Sequence, residues 1–144
     1  MSALEAMVSL LGGRELLGGP VRRDADLEHV LTAGLPAAVV RHLAESTGAT
    51  LGELQEIAGI DRSTLSRRIK QHALLKVDES DRVARVARVA ALAIGTLGRD
   101  EGLLWLRRPN AALGHRVPLS MLGTDAGVRQ VEQIIGRIEQ GVYS

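Results

Sequence analysis

Apolar residues recur along this chain at helical rather than alternating spacing. In the stretch Glu79–Leu97, the side chains of Val83, Val86, Ala87, Ala90, Ala93, Ile94 and Leu97 fall on one face, as in a helix with one buried side. Val128, Val131, Ile134, Ile135 and Ile138 make a second stripe, in a helix predicted over Asp125–Gln140. Thr124 precedes it as a cap and Gly141 follows it as a stop. Shorter helices are predicted over Ser2–Leu11, Asp26–Ala33, Pro36–Thr47 and Arg99–Arg107, with a helical turn over Pro118–Leu122. Gly34 and Gly48 break the chain on either side of the helix that Pro36 opens, where a missing N–H is harmless. Gly12–Arg23, with four glycines and Pro20, reads as a linker or mobile loop, and Pro109–Val117 as a loop. The triplet Arg-Val-Ala recurs at 82–84, 85–87 and 88–90, which is helix patterning and too short for a structural repeat. Val89 and Leu92 fall on the polar side of that helix, an exception that would fit a dimer contact.

Composition supports the helical reading. Hydrophobic residues make up 45% of the 144, yet there is no Phe, and Trp105 and Tyr143 are the sole aromatics. A core of Leu, Val, Ile and Ala with few Thr favours helices over sheets, so the expected fold class is all-α. There is no cysteine, which excludes disulfides and thiolate metal sites. His29, His42, His72 and His115 are scattered, without metal-ligand spacing, and no phosphate-binding loop or nucleophile elbow occurs. With no convergent set of titratable residues, an enzyme is the least expected class, and no cofactor is expected. Met1–Leu11 lacks the basic start and cleavage pattern of a signal peptide, and no apolar run approaches the ~20 residues of a membrane span. A cytoplasmic protein is the expected default.

Thr50–Gln71 has the plan of a helix-turn-helix. Thr50 and Glu53 form a capping box, a helix runs over Leu51–Ile57, Ala58-Gly59-Ile60 turns the chain, and Asp61 caps a second helix to about Gln71. Leu54, Ala58, Ile60, Leu65 and Ile69 are spaced to pack the two helices together. Arg62, Ser63, Ser66, Arg67 and Lys70 then share an arc of about 140° on the second helix, at roughly 100° per residue. Those are side chains that reach base edges and phosphates from a helix in a major groove. Charge is concentrated in the same region. Between Arg62 and Arg88 lie eight basic residues against three acidic ones, in a chain of net charge +1. Arg82, Arg85 and Arg88 contribute to that excess from the next helix, either solvated or in reach of phosphates. A local polyanion contact is the expectation.

The run from Trp105 to Leu122, Trp-Leu-Arg-Arg-Pro-Asn-Ala-Ala-Leu-Gly-His-Arg-Val-Pro-Leu-Ser-Met-Leu, is followed by Thr124, Gly127, Val131, Ile138 and the closing Gly141-Val142-Tyr143. Physically, Trp105 anchors a helix, Pro109-Asn110 ends it, Pro118 restarts the chain and Gly127 permits a close approach. The pattern W-L-x-x-P-N-x-A-L-G-x-x-x-P-L-x-x-L-x-T-x-x-G resembles the C-terminal toxin-binding domain of the Xre/MbcA/ParS-like antitoxins. With the helix-turn-helix upstream, the resemblance covers about Leu35 to Ser144. His115 departs from it, standing where a second glycine is usual.

The resemblance implies an all-α antitoxin of a type II toxin–antitoxin system: a helix-turn-helix DNA-binding core followed by a small helical toxin-binding domain. It implies a homodimer that represses its own operon at operator DNA. It also implies a RES-domain toxin that degrades NAD⁺ and is inhibited when the antitoxin's C-terminal region covers its active-site entrance. By motif matching, Gly141, Val142 and Tyr143 would enter the toxin pocket with Arg137 nearby, while Trp105, Pro109, Asn110, Gly114 and Pro118 would shape the domain. The expected divisions are 1–34, an N-terminal helix and glycine-rich segment; 35–97, the helix-turn-helix with a dimerisation helix; and 98–144, the toxin-binding domain. Two alternatives stay open at this point: a stand-alone regulator whose C-terminal domain only dimerises, and a protein-only inhibitor whose helix-turn-helix no longer binds DNA.

Overall fold

A computed structural model describes residues 1–141, which form nine α-helices and no β-sheet. In chain order these are α1 (Ala3–Leu10), α2 (Gly13–Leu17), α3 (Asp24–Ala33), α4 (Ala38–Thr47), α5 (Leu51–Ala58), α6 (Arg62–Lys70), α7 (Val77–Leu97), α8 (Arg99–Arg107) and α9 (Asp125–Glu139). Two 3-10 turns, Ala111–Leu113 and Pro118–Met121, join α8 to α9. The all-α reading holds, and the predicted elements match these within a few residues.

The fold is organised around α7. Its 21 residues make a rod about 31 Å long, and α1, α3, α4, α5, α8 and α9 all pack on it. Val83, Ala84, Val86, Ala87, Val89, Ala90, Ala91 and Ala93 are all buried, so the rod is covered nearly all round in its middle. Ile94 and Leu97, expected on the buried stripe, are only half-covered. Alanine lets neighbouring helices come close, and the most intimate approach is α8. A Cβ added at Gly102 would stand 2.6 Å from the Ala93 carbonyl oxygen.

Three expectations fail here for one reason, the packing of the N-terminal segment and the C-terminal hairpin. Residues 12–23 are not a linker: they contain α2, and Leu17 and Val21 are buried. Val89 is fully buried inside the chain, with α1 packed on α7, so it offers no surface to a second copy; Leu92 is half-buried against the same core. Trp105 is only half-buried, and the anchor of α8 is its neighbour Leu106.

Extended segments on either side of the helix-turn-helix close it. The Leu75 N–H donates to the Leu35 carbonyl (2.7 Å) and the Ala37 N–H to the Ala73 carbonyl (2.9 Å). The buried Ser80 hydroxyl of α7 accepts from the Leu35 N–H at 2.9 Å. Gly34, at φ +100°, faces the Leu75 carbonyl so closely that a side chain would collide with it. At the other end the Thr124 hydroxyl accepts the Gly127 N–H (3.0 Å) to start α9. A Cβ on Gly127 would run into the Met121 carbonyl, so this glycine sets how tightly α9 meets the preceding turn. Among the described residues, no helix is long and apolar enough to cross a membrane.

Two glycine substitutions separate packing from helix propensity. Gly102→Ala is expected to destabilise by at least about 2 kcal/mol, since the methyl meets backbone that cannot yield. Gly95→Ala, in α7 with nothing within 4 Å of the new methyl, is expected to stabilise by about 0.5–1 kcal/mol. Urea denaturation of both variants measures the difference.

Candidate functional site

The two-helix motif is built as its local sequence dictates. The Thr50 hydroxyl accepts the Glu53 N–H at 3.0 Å, and the Glu53 carboxylate accepts the Thr50 N–H at 2.9 Å, closing the capping box of α5. Gly59 turns the chain at φ +72°, a conformation that suits glycine. The Gln55 amide donates to the Ile60 carbonyl and holds the turn from the side. Leu54, Ala58, Ile60, Leu65 and Ile69 are all buried between the helices, as their spacing requires.

That packing leaves Arg62, Ser63, Ser66, Arg67 and Lys70 exposed together along α6. Ser63 is partly committed, because its hydroxyl donates to the Asp61 carboxylate at the helix start. This bond, followed by the Thr64 backbone N–H, holds the Asp61 carboxyl below the usual aspartate range.

The surrounding charges sort into two groups. Arg68, beside Arg67 in sequence, turns inward to the buried Glu79 at 2.6 Å. The same carboxylate oxygen accepts the Lys76 N–H at 2.8 Å, fixing the start of α7. Arg82 donates to the Ala58 carbonyl (2.9 Å) and pairs with Asp78 (3.5 Å). Arg85 pairs with Asp81 (2.9 Å), and Arg88 with Glu132 of α9 (3.1 Å). The arginines of α7 are therefore structural, and the possibility of phosphate contact from them is not needed. Among the described residues, Arg62, Arg67 and Lys70 have no carboxylate within 4.0 Å. Of the eight basic residues between Arg62 and Arg88, four are thus neutralised in pairs; among the described residues Arg62, Arg67 and Lys70 remain free on α6 and the exposed Lys76 remains free just before α7.

The second candidate surface lies at the end of α9. Arg137 and Gly141 are exposed there, Gly141 at φ +73°. Val142 and Tyr143 lie outside the described residues. The run between α8 and α9 contains a compact turn centred on Asn110. Its side chain accepts the Ala112 N–H (2.8 Å), its N–H donates to the Arg116 carbonyl (3.0 Å), and its carbonyl accepts the His115 N–H (2.9 Å). Gly114 and His115 both take left-handed conformations, at φ +66° and +63°. The glycine expected at position 115 has a physical reason: the turn needs positive φ, and histidine adopts it at a cost.

Arg107, at the end of α8, was not singled out by its sequence context. It donates to the Gly48 carbonyl and pairs with Glu53 at 3.6 Å, so it reaches the capping box of α5 from the C-terminal hairpin. No local pattern marks a partner more than fifty positions away. Among the described residues no cluster of His, Asp and Glu is placed to hold a metal ion.

Comparison with known proteins matches both halves. Residues 26–88 fit the family model of the antitoxin Xre-like helix-turn-helix domain, and residues 92–141 that of the antitoxin Xre/MbcA/ParS C-terminal toxin-binding domain. Curated relatives named Antitoxin Xre include one from Photorhabdus laumondii, 35% identical over 130 residues that cover 89% of this chain and 88% of the relative. One from Yersinia enterocolitica is 32% identical with the same coverage. One from Pseudomonas putida is 33% identical over 82% of this chain and 74% of its own length.

Neighbouring arginines should behave oppositely in denaturation. Arg68→Ala strands the buried Glu79 charge and is expected to cost about 3–5 kcal/mol, whereas Arg67→Ala is expected to stay within about 0.5 kcal/mol of wild type. His115→Gly is expected to gain up to about 1 kcal/mol, the relief of left-handed strain exceeding glycine's entropy cost. His115→Val should lose stability by the same measurement.

Proposed function

The chain belongs to the Xre antitoxin family, and on that premise we propose that it neutralises a RES-domain, NAD⁺-degrading toxin and represses its own operon. It is an antitoxin with a helix-turn-helix region and a toxin-binding region; the identity of the toxin and the use of operator DNA are our reading. The observation that supports repression is the set of free cations on α6. Arg62 and Arg67 are the side chains suited to guanine edges or phosphates, and Ser66 and Lys70 to positioning the helix on the backbone. A homodimer would place two copies of α6 about 34 Å apart on successive turns of DNA.

Neutralisation is assigned to the end of α9. Arg137 and Gly141 form its exposed rim, and Val142 and Tyr143 continue from it. Such inhibition requires no chemistry, only a chain end that excludes substrate from a cleft. An aromatic is a strong interface anchor, and Tyr143 is the single tyrosine of the sequence. Both roles belong to the cytoplasm, where the operon and the NAD⁺ pool lie.

Co-expression with the adjacent reading frame, scored for growth and NAD⁺ level, tests the toxin half; gel-shift on the upstream DNA tests the other. Arg62→Ala or Arg67→Ala is expected to weaken operator binding about 5- to 150-fold per contact while leaving neutralisation intact. Deleting residues 141–144 should abolish neutralisation and leave DNA binding. If the deletion leaves neutralisation untouched, the C-terminal assignment is wrong.

A further inference from the structure

One free cation outside the two-helix motif faces the same way as α6. Arg41 is exposed on α4 and lines a groove of about 260 Å³ that Arg62 and Ser66 of α6 also line. The floor between them is apolar, from Leu65 and Ile69. At Gly52 the first turn of α5 lacks a side chain, and the Arg62 guanidinium lies 3.6 Å from where a Cβ would be, so the groove stays open at that end. Among the described residues neither arginine has a carboxylate within 4.0 Å. Glu45 stands one turn along α4 from Arg41 and is exposed, but does not reach it. Every arginine of α7 between Arg82 and Arg88, by contrast, is matched to an acid.

Two like charges facing one groove over an apolar floor repel each other, and an anion between them removes that repulsion. The groove is continuous with the exposed edge of α6, so the anion it best suits is a phosphodiester of the same duplex that α6 would read. We propose that Arg41 is a backbone-phosphate contact, extending the nucleic-acid footprint from α6 onto α4. It pairs with Arg62 across the groove and carries no sequence information of its own. The proposal rests on the reading of α6 as the DNA-binding helix.

The two readings part in a salt titration. The full-length protein is bound to a duplex of its own upstream DNA and to a scrambled duplex of equal length, across a series of salt concentrations. Each phosphate contact contributes about 0.9 to the slope of log K against log salt. Arg41→Ala is therefore expected to flatten that slope by about 0.9 on both duplexes. The wild-type advantage should shrink about 3.5-fold between about 50 and about 200 mM salt. The ratio of the two affinities should not change, and Arg41→Lys should restore most of the slope. Thermal melting of Arg41→Ala is expected to overlay wild type, as befits an exposed side chain. A wild-type slope in Arg41→Ala, with the wild-type protein binding normally, overturns the phosphate contact alone. A loss confined to the protein's own upstream DNA overturns it too, because that is base readout. Failure of the wild-type protein to bind either duplex overturns the DNA reading, and this inference with it.

Discussion

The constraint on which everything else depends is that the middle of α7 is apolar round most of its circumference, with only the arginine side of Arg82, Arg85 and Arg88 reaching water. So wide an apolar face must be enclosed, and here the enclosure is made by six other helices drawn from both ends of the chain. The glycine-rich N-terminal segment is held because Leu11, Leu17 and Val21 are buried in the common core, with α2 packed on α1 and α1 on α7. The C-terminal hairpin closes on the same rod through Gly102. α9 packs on α7 and presents polar residues at its far end, while α6 packs on α5, one of the covering helices, and presents its own polar face outward.

Enclosure also governs the charges. Arginine is favoured along α7 because its long stem covers apolar surface while its head reaches out to a partner. Once the stem is laid down, the head is used locally: on the Ala58 carbonyl, on Asp81, on Glu132. A high count of basic residues in this region is therefore a poor guide to binding, and the absence of an acid nearby is the better one. By that criterion the free cations of this region, among the described residues, are Arg62, Arg67 and Lys70 of α6 with Lys76 just before α7, and Arg41 of α4 joins them. Both features are invisible to a count of charges along the sequence.

What was legible in the sequence follows from the range of each signal. Caps, turns and stripes act over a few residues, so Thr50–Glu53, Gly59, Thr124 and the α9 stripe were readable. The five exposed positions of α6 were readable for the same reason, since a helix fixes its own faces once its buried side is known. Features that depend on pairing across the chain were not. Val89 looked like an exposed exception because nothing local says that other helices bury that side of α7. Arg68 lay off the exposed arc of α6, but no local signal named its partner, Glu79, eleven positions on. Position 115 was an intermediate case: the family pattern asked for glycine, and the left-handed turn shows what the glycine is for.

The two family regions meet inside a helix rather than at a linker. One match ends at residue 88 and the next begins at residue 92, while α7 runs without a break from Val77 to Leu97. A continuous helix transmits position along its length, so the boundary between the two halves is not a loop. Arg107 adds a second tie beside that rod by holding Glu53 and the Gly48 carbonyl at the start of α5. Arg88 adds a third, from α7 to Glu132. The continuous helix and these two cross-connections tie the C-terminal half to the helix-turn-helix half. Whatever occupies the C-terminal end is thereby joined through folded structure to whatever α6 touches, a connection that a flexible joint between two independent domains would not provide.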